Sequence, residues 1–442
     1  MSGPTSRELA PGSGPRAGRG RHEPGGVPPR TVPDPPAADI APRRPRGDAP
    51  PPLQRLGTAH LDDVVDNAAA SFGRPRDDEA REQWRARIDR GEVWGVVDDR
   101  DRVIGQGRLV PTYHRFGRRP VACLDLASIA VPPEHRGRGV ASALTLDAAA
   151  LGASEQFGLS ILFPATTSLY RRLGWEHAGS LTRYRVSPRA IPARGPRLRP
   201  ADQATDGPAI ERCRERALTG TTGAAVRPVD RWEALDDAGF RYVLDDPAQP
   251  GELTAYAIVD HERDASDWKF RLRVRDWAAT TRDGLEAIAA LVGSSASFAR
   301  HATFVDAWPS RWSQVLPEQD LEIAGGLHWM ARGLDLPAAV SARGFPAGLA
   351  LAVTLRVDEE PALEGVVATG PWRLEVAGGS GQLTEVPGAD VRIGPHGVGP
   401  LFTGFRSATE LSALGLIRGP AEALELLDAA FAGPPPTLVD FF

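Results

Sequence analysis

The chain has 442 residues, 41% hydrophobic and 25% charged, with a formal net charge of −5. That length predicts about two to four domains, and no window approaches the roughly 20 uninterrupted apolar residues of a membrane span. The two cysteines, Cys123 and Cys213, suggest neither a disulfide framework nor a metal site, so the expectation is a cytoplasmic protein without metal and without membrane association.

Residues 1–55 hold fourteen of the 41 prolines, and nine arginines against five acids. Such composition cannot bury enough apolar surface to offset chain entropy, which predicts a disordered tail. The remainder carries about −9. A mildly acidic body argues against nucleic acid as a partner and is compatible with a cationic substrate.

Order is expected from Thr58. Leu61, Val64, Val65, Ala68 and Phe72 recur at helical spacing, and a second helix surrounds Trp84. "EVWGVVDDRDRVIGQGRLVP" reads as a hairpin turning at Asp98–Asp101, and "VACLDLASIAV" as a third strand. An alanine-rich helix, the strand "LSILFPA", a short helix around Tyr170 and a closing strand pair in "WEHAGSLTRYRVSP" complete a unit at 56–190. A linker is expected at 189–201. A second unit at 195–325 repeats the latter half of this order. From 326 to 442, strands in "LALAVTLRV", "WRLEVAGG" and "GQLTEVP" and helices in "SATELSALG" and "PAEALELLDAAF" predict a third, α+β unit.

Between the third strand and the alanine-rich helix lies "VPPEHRGRGVA". Glycines that let the main chain approach a ligand, backed by a helix N-terminus, make an anion site. Gly137 and Gly139 fill that part, and Arg136 and Arg138 add charge. The spacing fits neither a Walker loop nor the dinucleotide fingerprint. On composition alone, an Arg/Gly turn without a ligand remains an equal reading. In the second unit the corresponding stretch is "AATTRDGLEAIAALV", with one glycine opening the helix.

Arg136-Gly137-Arg138-Gly139-Val140-Ala141 resembles the Arg/Gln-x-x-Gly-x-Gly/Ala pyrophosphate loop of the GNAT acetyltransferases, and "SLYRRLGW" resembles their Tyr-x-x-x-Gly-Phe segment, with Trp175 for Phe. With "LHWMARGLDLPAAVSARGF" and the terminal "LVDFF", the chain after residue 55 is similar to one branch, the enhanced intracellular survival family. The resemblance implies an α/β (α+β) fold: tandem GNAT-like mixed-sheet domains, the second without a cofactor site, then a sterol carrier protein-like α+β domain. It implies an N-acetyltransferase using acetyl-CoA as donor. Ile129, Ala130 and Val131 would line the pantetheine arm and acetyl carbonyl, and Arg136, Gly137, Arg138, Gly139, Val140 and Ala141 the pyrophosphate. Tyr170 would be the general acid, and the α-carboxylate of Phe442 would take the amine's proton.

The implied acceptor is a primary amine of a small polyamine or aminoglycoside-like molecule, and the implied assembly a homohexamer. Trp84 and Asp440 are candidate substrate contacts, as is Trp94, although buried tryptophans are more often core. One departure concerns the amine pocket: "SFGRPRDDE" has Gly73 and Arg74 where the family can carry an acid, and Asp77, Asp78 and Glu79 only later. Acetylation of a protein lysine or N-terminus is the alternative within the same chemistry. A non-catalytic lipid-binding protein is the alternative from another class.

Overall fold

In a computed structural model of the chain, residues 50–202, 205–227, 232, 239–263, 268–358 and 367–441 are described. The expected tail, as far as residue 49, and Phe442 lie outside the described residues. Regular structure starts before Thr58. β1 (Gln54–Arg55) pairs with the next strand of the sheet at Trp94 and Gly95, and Leu56 behind it is 1% exposed.

α1 (Leu61–Phe72) buries Leu61, Val64, Val65 and Ala68 and ends at Gly73, whose φ of +64° only glycine adopts freely. α2 (Asp78–Asp89) is capped by the Asp77 carboxylate, which accepts from Ala80 N at 2.9 Å. β2 (Val93–Val97) turns into β3 (Val103–Phe116) through a loop tied by Asp98, which accepts from Arg100 N and Arg102 N. β3 returns as β4 (Arg119–Ala130) through Gly117-Arg118, both at positive φ, the two-residue turn whose twist suits a hairpin. α3 (Val140–Ser154), β5 (Leu159–Leu162), α4 (Thr167–Arg171) and β6 (Glu176–Val186) follow. β6 is one long strand where a strand pair was expected.

The expected linker is not free. Ile191 is buried, and Arg199–Pro200 forms an edge strand, β7. The second unit then runs α5 (Gly207–Leu218), β8 (Phe240–Asp245), β9 (Leu253–Arg263), β10 (Phe270–Ala279), α6 (Arg282–Ser294) and β11 (Ala299–Asp306). Its hairpin, crossover helix and parallel strand repeat those of the first unit.

β12 (Leu321–Gly333) runs across residue 326, where a boundary was expected. It pairs with β5 on one side and β6 on the other. The twelve strands described here form one sheet, ordered β1-β2-β3-β4-β5-β12-β6-β11-β10-β9-β8-β7. Each unit's last strand thus lies beside the other unit: β6 pairs with β11, and β12 with β5. Trp329 of β12 lies over Gly179 of β6, where a Cβ would stand 2.2 Å from the indole. The exchange therefore depends on that glycine.

The third unit begins with α7 (Leu336–Ala342). β13 (Leu351–Val357), β14 (Trp372–Ala377), β15 (Ser380–Glu385), β16 (Val391–Ile393) and β17 (Ile417–Arg418) form a five-stranded sheet, with α8 (Pro395–Thr403), α9 (Ala408–Ala413) and α10 (Ala421–Phe431). Its core is continuous with the large sheet: Phe116, Cys123, Ile161 and Trp329 share one cluster with Trp372, Leu374, Phe402 and Leu438.

Arg343 sits inside this core, 2% exposed, with its guanidinium 5.0–5.5 Å from the rings of Phe345, Phe402 and Phe431. It donates to Phe402 O at 3.1 Å and Phe431 O at 3.3 Å, carbonyls at the C-terminal ends of α8 and α10, where the helix dipole favours a cation. Burial lowers its pKa to about 10, so it stays charged at neutral pH. Replacement by Met strands those carbonyls. Arg343→Met should cost about 2–4 kcal/mol, read as a fall of several degrees in the thermal unfolding midpoint. An unchanged midpoint would mean that the carbonyls find other donors.

Candidate active site

β4 and β5 run parallel from Cys123↔Leu159 to Leu126↔Leu162 and then part. Beyond Leu126, β4 keeps only β3. There it bulges: Ala127 faces Arg108 and Ala130 faces Gln106, with Ser128 at φ +53°. The bulge leaves the edge at Ile129 and Ala130 without a strand on the β5 side among the described residues. Two glycines of β3 make the crowding tolerable. A Cβ at Gly107 would lie 2.4 Å from Ile129 Cδ1, and one at Gly105 2.5 Å from Val140 Cγ1.

The Arg/Gly loop continues from this edge. Pro133–His135 form a single helical turn, and Arg136 Nε donates to Val131 O at 2.9 Å, bracing the loop against the strand's end. Gly137 and Gly139 stand at φ +75° and +83°, conformations that favour glycine, and the space where a Cβ of Gly137 would project is open. α3 starts at once and has no side-chain cap. Its first-turn N–H groups therefore point outward with Arg136 and Arg138, both exposed and neither ion-paired to another described residue. The residues fit a pyrophosphate. α6, its counterpart in the second unit, differs on this point: the Thr281 hydroxyl accepts from Gly284 N at 3.1 Å and occupies the helix end.

Tyr170 on α4 is buried with Leu126, Leu162, Trp175 and Met330. Its hydroxyl has no hydrogen-bond partner among the described residues, and burial pushes its pKa up to about 12. It stays protonated and can only donate to, or accept from, what enters beside it.

The end of the chain returns to this place. Pro436 O accepts from Ser180 N and Ser180 O accepts from Leu438 N, both at 3.0 Å, while Thr437 N donates to Thr222 O at 2.7 Å. The Phe441 ring rests 4.8 Å from that of Phe163, the first residue past the β4/β5 pairing. Asp440 was expected to meet substrate, but its two oxygens accept from Arg214 and Arg227, each at 2.6 Å. Arg227 also holds Asp276 at 2.8 and 3.1 Å, and Asp276 accepts from the Tyr256 hydroxyl. Burial alone would lower the Arg227 pKa, but the two carboxylates outweigh it and raise it. Asp440 is thus an anchor.

Trp84 was expected to meet substrate. It is 6% exposed within the α1/α2 core, and Arg87 lies 4.8 Å over its ring. Trp94 is similarly covered by Arg55 at 5.2 Å. Asp77 is spent on the α2 cap. The expected Phe442 lies outside the described residues.

Sequence reasoning missed one pair. His114 of β3 is fully buried, with Nδ1 2.9 Å from Gly223 O and Nε2 3.0 Å from both oxygens of Asp125. Gly223 O only accepts, so Nδ1–H donates to it, and opposite an ionised Asp125 the Nε2–H donates as well, which makes the ring an imidazolium. A lone acid inside the apolar run "VACLDLASIAV" was the available signal, since a buried charge needs a partner. No group of three or more His, Cys, Asp or Glu that could hold a metal occurs among the described residues.

Residues 53–178 match the family model of an acetyltransferase (GNAT) domain, and residues 336–439 that of a sterol carrier protein domain. No curated protein matches the sequence. Among solved structures, a GCN5-related N-acetyltransferase from Kribbella flavida is 29% identical, with a TM-score of 0.76, covering 88% of this chain and 98% of its own. One from Anabaena variabilis is 23% identical, with a TM-score of 0.81, covering 88% of this chain and 99% of its own. Eis1 from Mycobacterium abscessus is 20% identical, with a TM-score of 0.69 and the same coverage. The chain is a GNAT-type acetyltransferase with a sterol carrier protein domain.

Two outcomes are expected. Arg136→Ala with Arg138→Ala should weaken acetyl-CoA binding about tenfold or more in calorimetry, less at high salt, and leave the melting temperature unchanged. For His114, burial alone would lower the pKa, but the Asp125 carboxylate and its hydrogen bond outweigh it and raise it. The stability it adds is complete below about pH 6.5, the ordinary histidine value, and is lost as pH rises through the elevated one. The difference in melting temperature between wild type and His114→Gln should therefore shrink with rising pH. A difference that grows would contradict the imidazolium.

Proposed function

We propose that this acetyltransferase moves an acetyl group directly to a primary amine of a small polyamine or aminoglycoside-like substrate, with donor and acceptor bound together. Acetyl-CoA, when bound, supplies the activated thioester. The first-turn N–H groups at Val140 and Ala141, with Gly137, Gly139, Arg136 and Arg138, hold its pyrophosphate. The open edge at Ile129, Ala130 and Val131 takes the pantetheine arm in place of a strand, and the Val131 N–H polarises the carbonyl. Tyr170 gives its proton to the departing sulfur, and the α-carboxylate of Phe442 takes the amine's proton through water. The observation that carries this reading is the parted β4/β5 edge, ending in an uncapped helix beside a buried tyrosine whose hydroxyl has no partner among the described residues.

The acidic body suits a cationic acceptor, and the anchored segment 436–440 narrows the cleft toward small, flexible amines. The same reading makes the protein a cytoplasmic homohexamer. Cys123 and Cys213 are buried and free, as suits a reducing compartment, and β12 exposes Ile323 and Leu327 as an apolar face for a second copy. Against a lipid-carrying role, the two cavities described in the third unit measure about 20 and 30 Å³, room for about one water each.

Purified protein with acetyl-CoA and a panel of polyamines, aminoglycosides, arylamines and lysine peptides should release thiol only with the first two classes. Tyr170→Phe should lower turnover by about 10²–10⁴-fold with acetyl-CoA affinity unchanged, and removal of Phe442 should lower it similarly. Turnover confined to peptides would replace the acceptor class, and full activity of Tyr170→Phe would remove the proposed acid.

A further inference from the structure

The second unit keeps the parted strands of the first without its loop. Arg273 is the last β10 residue opposite β11, and a bulge at Arg275 follows directly, as the bulge at Ser128 follows Leu126. Just after β11 the chain reads Ala307-Trp308-Pro309, and just after β5 it reads Phe163-Pro164, an aromatic-proline pair in each case. Here, however, the split is closed by Trp277, whose indole N–H donates to Val305 O at 2.9 Å. What remains is a cavity of about 330 Å³ against Trp277, Trp308 and Pro309, with Pro434, Thr437 and Val439 of the C-terminal segment as its far wall. That is the size of a small-ligand site.

Most charges on its wall are already committed. Arg214 holds Asp440, Asp276 is held by Arg227 and Tyr256, and Arg275 pairs with Asp260. Asp306 accepts from Ala307 N, the Ser310 hydroxyl and Arg311 N, and burial raises its pKa above the usual carboxylate value. Arg311 is different. Its guanidinium lies 4.8 Å over the Trp277 ring and Nη1 makes one long hydrogen bond of 3.5 Å to Ala279 O. Its nearest carboxylate oxygen among the described residues is 3.8 Å away on Asp306, and its side chain is 42% exposed. It is the least compensated cation on a wall otherwise rich in aromatic, proline and aliphatic surface, with Trp308 57% exposed at the edge.

We infer that this cavity binds a small aromatic carboxylate, its ring against Trp308, Pro309 and Leu218 and its carboxylate on Arg311. The site is distinct from the acetyl-transfer cleft and does not depend on that function. A two-ring acid fits the volume, and a neutral amide of the same shape lacks the charge that Arg311 would meet.

The test titrates 2-naphthoate and 2-naphthamide into the full-length protein, with tryptophan emission and calorimetry as readouts. Saturable 1:1 binding of the naphthoate is expected, about tenfold or more tighter than the amide. Arg311→Met should erase that preference, and Thr221→Trp, which puts an indole into the cavity from its lining, should abolish binding of both probes while acetyl-CoA still binds. If Arg311→Met does not fold, Thr221→Trp decides alone. The inference is overturned by no saturable binding, by equal affinity for acid and amide, by unchanged binding in Thr221→Trp, or by displacement of the probe with acetyl-CoA.

Discussion

Arg214 and Arg227, almost wholly buried in the second unit, require a carboxylate, and Asp440 supplies it from a segment that has crossed the third unit to reach them. Arg227 would keep Asp276, but leaving the buried Arg214 without Asp440 would cost several kcal/mol, so the position of the last residues is set by charge rather than by loop chance. From this contact the rest of the site follows. The segment 436–438 is laid along β6 and against Thr222, and Phe441 is delivered to Phe163 where β4 and β5 separate. His114 and Asp125 complete the arrangement, binding the β3/β4 hairpin to the backbone of Gly223.

The exchange of β6 and β12 gives that contact its geometry. With each unit's last strand lying beside the other unit, the halves share one sheet, and the third unit's core continues into it. The parted strands of the first unit are therefore held from three sides. Packing of this kind is close to crystalline in density and transmits strain, which suits the proposed binding of donor and acceptor together.

The two units show how the same topology serves different ends. In the first, the helix is uncapped and two arginines beside its N-terminus are exposed. In the second, Thr281 caps the corresponding helix and Trp277 bridges the corresponding split, so the geometry survives as a cavity without the loop. A few side chains decide which of the two a repeated fold becomes.

Much of this was legible in the chain itself. The amphipathic spacing of α1, the apolar run of β4, the Arg/Gly loop and the tyrosine before Gly174-Trp175 are local signals, because period, turn chemistry and helix ends act over a few residues. Composition alone placed the acidic body and the proline-rich start. The strand exchange was not legible, since the β6 segment read as a strand pair, Leu321–Gly333 was not read as a strand, and their partners lie far away in sequence. Nor were the duties of Trp84, Asp440 and His114. A buried ring, an anchoring carboxylate and an imidazolium differ from a substrate contact only in what surrounds them, and for these residues the partners are Arg87, Arg214, Arg227 and Asp125. Sequence determined the elements and the loop that can hold an anion. Tertiary structure decided which charges are spent inside the protein and which remain for a ligand, because only folding brings the opposing charges together.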